Sequence, residues 1–147
     1  MPTIDESIFI DRPPQEVFDY VSEPVNLPVW DSSIVHAERL DSGPVGVGSR
    51  LKGTSKILGR RFDWTAEVID FEPPRRYSSR SVEGDLQFTV TLSAESEGNG
   101  TRFVQRIDAE SGLGGVFGKI ADPLVEKAQA RTTRANLETL SEILTEH

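Results

Sequence analysis

The clearest pattern in the chain is a strict alternation, in which Leu86, Phe88, Val90 and Leu92 are apolar and the intervening Gln87, Thr89, Thr91 and Ser93 are polar. A period of two places one set on each face of a strand, so this stretch predicts a half-buried β-strand. Phe62, Trp64, Ala66 and Val68 alternate in the same way with Asp63, Thr65 and Glu67. Shorter patterns mark strands over Thr3 to Asp11 (Ile4, Ile8 and Ile10 on one side), Ile34 to Leu40, Ser49 to Ile57, Arg76 to Val82 and Thr101 to Ala109. Turn-forming groups separate them: Asp41-Ser42-Gly43-Pro44, Leu58-Gly59-Arg60, Pro73-Pro74-Arg75, Glu83-Gly84-Asp85 and Glu97-Gly98-Asn99-Gly100. Links this short predict antiparallel neighbours, because parallel pairs need long crossovers.

Two segments carry the helical period instead. Arg12-Pro13-Pro14 stops the first strand, and Pro14 suits a first helical turn, where a missing N–H costs nothing. Val17, Phe18 and Val21 give that helix a buried edge, and Pro24 and Pro28 allow only short helical pieces as far as Trp30. Between Gly112 and His147 one stripe runs Phe117, Ile120, Leu124, Ala128, Thr132, Ala135, and a second runs Ala130, Thr133, Leu137, Leu140, Leu144. At about 100° per residue the stripes lie well over a right angle apart, which predicts a long helix buried on two faces. In that arrangement Ala128 and Ala135 let the helix lie close to a sheet, while the bulkier Phe117, Ile120 and Leu124 stand where the two surfaces part. Pro123 predicts a kink or a late start. The class is α+β. The expected architecture is a curved antiparallel sheet of about seven strands wrapped around the C-terminal helix, with two short helices after the first strand and a cavity between sheet and helix.

A length of 147 residues suits a single domain over 1–147 with one core. No run approaches the roughly 18 apolar residues of a membrane span, and the start MPTIDESIFI lacks the basic and apolar regions of a signal peptide. The expectation is a cytoplasmic protein without membrane insertion. The absence of cysteine excludes disulfides, thiol nucleophiles and thiolate metal sites. A net charge of -8 opposes binding to phosphate backbones. The basic group Arg50, Lys52, Lys56, Arg60 and Arg61 has no interleaved aromatics for base stacking, so it reads as a solvated face and not as a nucleic-acid site.

Candidate chemistry is sparse. Of the two histidines, His147 is terminal, and His36 should point opposite to Val35 and Ala37, hence outward if those two face the core. One usable histidine and no cysteine leave no metal site and no implied cofactor. Gly112, Gly114, Gly115, Gly118 and Lys119 lack the spacing of a phosphate loop, with Ile120 standing where Ser or Thr is required, so the stretch reads as a lead into the helix and a gate. The aromatics Trp30, Phe62, Trp64, Phe88, Phe103 and Phe117 either fill the core or line a pocket for a flat apolar ligand. Trp30 and Phe117 are the stronger pocket candidates, being next to turn or glycine-rich segments. Gln105 faces inward with Phe103 and Ile107, and Tyr77, Ser79 and Ser81 do so if their strand is phased that way.

The order of these features resembles the START/Bet v 1-like (SRPBCC) superfamily and, within it, the polyketide cyclase/dehydrase group. The resemblance is carried by the first strand into Pro13-Pro14 and Val17-Phe18, Trp30, Gly46-Val47-Gly48, Pro73-Pro74-Arg75, Gly100-Thr101-Arg102 and the long terminal helix. It implies a helix-grip fold with a deep, mostly apolar cavity. Members of that superfamily include lipid carriers, hormone receptors and aromatase/cyclases. No catalytic motif of the group is matched, so no catalytic residue is carried over.

Two functions follow as expectations. The first is binding of a hydrophobic or aromatic small molecule, lipid- or polyketide-like, between sheet and helix, with Trp30, Phe62, Trp64, Phe88, Phe103, Gln105, Phe117, Ile120 and Leu124 as ligand-binding candidates. The alternative is a polyketide cyclase/dehydrase-like enzyme that promotes cyclisation or dehydration there by confinement, with Tyr77 as the candidate acid. The small molecule is the expected partner, and a homodimer is the form of self-association to test.

Overall fold

The computed structural model describes residues 3–57, 59–84, 87–109 and 123–146. Strand β1 (Thr3–Ile10) leads into helix α1 (Pro14–Val21), a 3-10 turn (Pro24–Asn26) and the single-turn helix α2 (Leu27–Trp30). Strands β2 (Ile34–Arg39), β3 (Arg50–Ile57), β4 (Arg60–Glu72), β5 (Arg76–Gly84), β6 (Phe88–Glu97) and β7 (Gly100–Ala109) follow, and helix α3 (Pro123–Thr145) closes the chain. The strands form one antiparallel sheet in the order β1-β7-β6-β5-β4-β3-β2. Sequence neighbours are spatial neighbours throughout except for β1, which pairs with β7 from Thr3↔Asp108 to Ile10↔Thr101. The sheet curls as a half-barrel over the helices, the helix-grip arrangement.

The strand periodicity places the core. On β4, Phe62, Trp64, Ala66 and Val68 are all buried, and Leu92 and Ala94 on β6 and Phe103 on β7 join them from the same face of the sheet. Val17, Phe18 and Val21 seal one end from α1. Gly53 on β3 is opposite Trp64, and a Cβ there would stand 2.5 Å from the His36 carbonyl oxygen and 2.6 Å from the Trp64 ring. Only glycine lets that indole lie flat across the neighbouring strand.

Two of the three register shifts among the described strands re-aim side chains. The register of β4 on β5 shifts between Val68 and Asp70, so Ser79 opposes Val68 and Ser78 opposes Asp70, with Ile69 turned outward. Tyr77, Ser78 and Ser79 are consequently all buried, whereas Arg80 is exposed and Ser81 is half-buried, its hydroxyl accepting from the Phe88 N–H at 3.0 Å. A second shift on β2, between Ile34 and His36, leaves Val35 as well as His36 exposed, so the opposition expected between these two residues does not occur.

Helix α3 differs from its expected packing. Thr133, Asn136, Leu137 and Leu140 are buried and Leu144 is half-buried, but Ala128 and Ala135 are exposed. The helix thus buries one broad face, against β1 and α2. Leucines fix the rotation because each has far more apolar area to hide than an alanine, and among the described residues no second layer covers the alanine side. Arg12 ties the end of α3 to the start of α1, its Nε donating to the Leu144 carbonyl at 2.9 Å.

Candidate functional site

Between the concave face of the sheet and α3 lies a cavity of about 140 Å³. Its walls are mainly apolar: Trp64 from β4, Phe88, Val90 and Leu92 from β6, Ile107 from β7 and Trp30 from α2. Trp64 is held by its Nε1–H donating to Ser55 Oγ at 2.8 Å and by an edge-to-face contact with Phe88, ring centres 5.7 Å apart. Tyr77 also reaches the wall and meets Phe71 edge-on. Burial, reinforced by the negative charge of Glu23 and opposed by a hydrogen bond with Ser79, pushes the Tyr77 hydroxyl up to about 12. It therefore remains a proton donor at neutral pH.

The polar groups of the wall gather around Asp31. This residue ends α2, its backbone N–H donating to the Leu27 carbonyl at 2.9 Å, and its carboxyl turns inward. Oδ1 accepts three hydrogen bonds, from Ser33 N–H at 3.0 Å, Ser33 Oγ at 2.7 Å and Asn136 Nδ2 at 3.1 Å. The Asn136 Oδ1 in turn accepts from Ser32 N–H at 3.2 Å and Ser32 Oγ at 2.9 Å. The Asp31–Ser33 turn and α3 are thus joined through one carboxylate–amide pair. Burial pushes the Asp31 carboxyl up, against the opposing hydrogen bonds from Ser33 and the Gln105 amide.

Two polar atoms of residues in this wall have no partner. Trp30 Nε1 and Gln105 Oε1 are fully buried and make no hydrogen bond among the described residues. An unpaired buried donor or acceptor costs about 1–3 kcal/mol, which an occupant able to pair with it would offset.

Of the aromatic candidates, Trp30, Trp64 and Phe88 come together around the cavity, with Tyr77 and Gln105. Phe62 and Phe103 do not line it. Phe62 is buried under the Arg60 guanidinium, 5.4 Å above its ring, and Phe103 backs Trp30 edge-on, ring centres 6.2 Å apart. Phe117, Ile120, the side chain of Leu124 and the glycine-rich stretch before the helix lie outside the described residues. The residues missed in the sequence are Asp31, Ser33 and Asn136. Their signal was present: an Asp-Ser-Ser step directly after a short helix, and an asparagine beside the Thr133, Leu137, Leu140 stripe.

The basic group on β3 and β4 is exposed and partly neutralised, Lys52 pairing with Glu38 at 3.1 Å and Arg50 with Glu67 at 3.2 Å. Among the described residues no three His, Asp or Glu side chains converge as a metal site, and no helix is long and apolar enough to cross a membrane.

A family profile described as polyketide cyclase / dehydrase and lipid transport matches residues 1–145. An uncharacterized Mycobacterium tuberculosis protein is 26% identical over 143 residues, covering 94% of this chain and 92% of its own. A START superfamily protein from Mycobacterium smegmatis superposes with a TM-score of 0.78 at 17% identity, over 97% of this chain and 96% of its own. The Zhui aromatase/cyclase from Streptomyces sp. R1128 does so with a TM-score of 0.75 at 15% identity, over 97% and 92%. At these identities the two structures speak to the fold.

Proposed function

The chain belongs to the polyketide cyclase / dehydrase and lipid transport family, and from that premise we propose that it binds a compact hydrophobic or aromatic small molecule in the cavity between sheet and α3. The observation that carries the reading is the cavity itself, about 140 Å³ with mainly apolar walls and a small group of polar residues around Asp31. A void of that order takes one aromatic ring, whereas sites for drug-sized ligands run to roughly 300 Å³ and above. Burying about 150 Å² of ligand at about 25 cal/mol per Å² gives about 4 kcal/mol before the cost of association. Apolar contact alone therefore holds such a ligand weakly, and the polar groups must contribute. The reading takes residues 1–147 as one domain acting in the cytoplasm on a small molecule and not on nucleic acid.

Val90 lines the cavity from the middle of the sheet, and Val90→Trp should fill it. By titration calorimetry the variant should bind toluene at least about ten-fold more weakly than the parent, with an unchanged circular dichroism spectrum. Unchanged affinity in the folded variant would remove this cavity as the binding site. Native mass spectrometry of the purified parent would show whether a compound is retained from the cell, for identification after extraction.

A second reading, cyclisation or dehydration of a confined substrate, draws on Tyr77, a buried hydroxyl at the wall that keeps its proton at neutral pH. On that reading Tyr77→Phe should stop loss of water from a bound β-hydroxy ketone, followed by product mass, while the ketone still binds. Equal turnover would exclude Tyr77 as the acid.

A further inference from the structure

Several polar groups in the cavity wall are already paired. Asp31 Oδ1 holds three donors, the Asn136 amide is engaged with Asp31 and Ser32, and Ser33 Oγ donates to Asp31. Ser55 Oγ receives the Trp64 indole, and Thr132 Oγ1 donates to the Ala128 carbonyl of its own helix. Among the fully buried side-chain polar atoms of the described wall residues, Trp30 Nε1 and Gln105 Oε1 lack a partner, one a donor and the other an acceptor. Both residues are almost wholly buried, at 1% and 3% exposure, and both belong to the wall. They are also close neighbours in the fold: Trp30 packs edge-on against Phe103, two residues before Gln105 on the same face of β7.

Resting on the cavity-binding reading above, we propose that the ligand is a neutral apolar compound bearing a hydroxyl group, recognised by Trp30 and Gln105. A hydroxyl both accepts and donates at one oxygen, so it can take the Trp30 N–H and give its own proton to Gln105 Oε1. The charge of the wall argues against the other simple head groups. No Lys, Arg or His occurs among the described lining residues, so a ligand carboxylate or phosphate finds no counter-charge. An ammonium brings three donors and no acceptor, so it would leave the Trp30 N–H unpaired. A plain hydrocarbon fits the walls and leaves both atoms unpaired. A site whose buried polar groups await a hydroxyl discriminates against the analogue that lacks it, because the loss falls on the protein's own unpaired atoms.

Four one-ring probes of similar size separate these cases: phenol, toluene, benzoate and benzylamine, titrated calorimetrically into the parent, Trp30→Phe and Gln105→Leu. In the parent, phenol should bind at least ten-fold more tightly than toluene, and benzoate most weakly. In each variant the phenol-to-toluene ratio should fall to within about two-fold, toluene serving as the control that cavity and fold persist. Equal binding of phenol and toluene by the parent would overturn the hydroxyl subsite while leaving the apolar cavity reading intact. Benzylamine binding tightest would overturn it in favour of cation recognition by Asp31. A phenol preference that survives both variants would overturn the assignment to Trp30 and Gln105. If neither phenol nor toluene binds the parent, the cavity-binding reading fails, and the subsite with it.

Discussion

Asp31→Ala will destabilise the protein by about 2 to 4 kcal/mol, whereas Asp31→Asn will change its stability little at acid pH. Alanine removes the acceptor that satisfies the Ser33 N–H in the turn between α2 and β2 and the buried Asn136 amide on α3. Asparagine keeps an acceptor in the Oδ1 position, and a flip of the Gln105 amide, which otherwise donates to the carboxyl, presents the unpaired Oε1 to the new N–H. The two variants also differ from the parent in pH dependence. Burial raises the Asp31 pKa above that of the open chain. Its stabilising contribution is therefore complete below the unfolded carboxyl value near 3.9 and is lost as pH rises through the folded value. Within that window the folded state holds one proton more, and stability falls by up to about 1.4 kcal/mol per pH unit.

Asp31→Asn has no such loss, so its advantage over the parent should grow across the window and then level off. Asp108 behaves oppositely. Its carboxyl is held low by Arg106, so its contribution is lost as pH falls, but it is common to both proteins and cancels in the difference. Urea unfolding of both proteins from about pH 4 to pH 8 would measure this. A difference that stays flat would show that Asp31 titrates in the fold as it does in the open chain.

How far the sequence could be read depended on what each position had to satisfy. A strand with one face on the core alternates, and β6 and β4 were legible for that reason, as was the buried edge of α1. Bulges are harder, because the extra residue is decided by pairing with a distant strand. Tyr77 and Ser79 point inward on the phase expected, yet Ser78 between them is buried too, through the shift opposite Val68 and Asp70. The aromatics were recognisable as interior, but whether a ring faces a cavity or another ring depends on the curl of the sheet, which no local pattern encodes. Hence Trp64 and Phe88 line the space while Phe62 and Phe103 stand behind it. Asp31 was passed over because an aspartate after a short helix reads as a surface cap. Only the long-range contact with Asn136, 105 residues later, makes it a buried group.

The same long-range packing sets the rotation of α3, which yields the second large effect. Leu140→Ala should cost about 2 to 5 kcal/mol, since Leu140 is fully buried and its removal leaves a void that rigid neighbours fill only in part. Ala135→Glu, on the side once expected to lie against the sheet, should cost less than about 0.5 kcal/mol, because Ala135 is exposed and glutamate is a good helix former. Urea denaturation of both variants reads the contrast directly, and a loss from Ala135→Glu as large as that from Leu140→Ala would restore the second buried face. The functional consequence follows from the helical repeat. Leu140 lies one turn after Asn136, so an anchor weakened there loosens the residue that joins α3 to Asp31. Leu140→Ala should therefore also weaken toluene binding, even though Leu140 is absent from the described cavity wall. Affinity retained at the parent level in a destabilised Leu140→Ala protein would mean that the Asp31 cluster holds its geometry without help from the end of the helix.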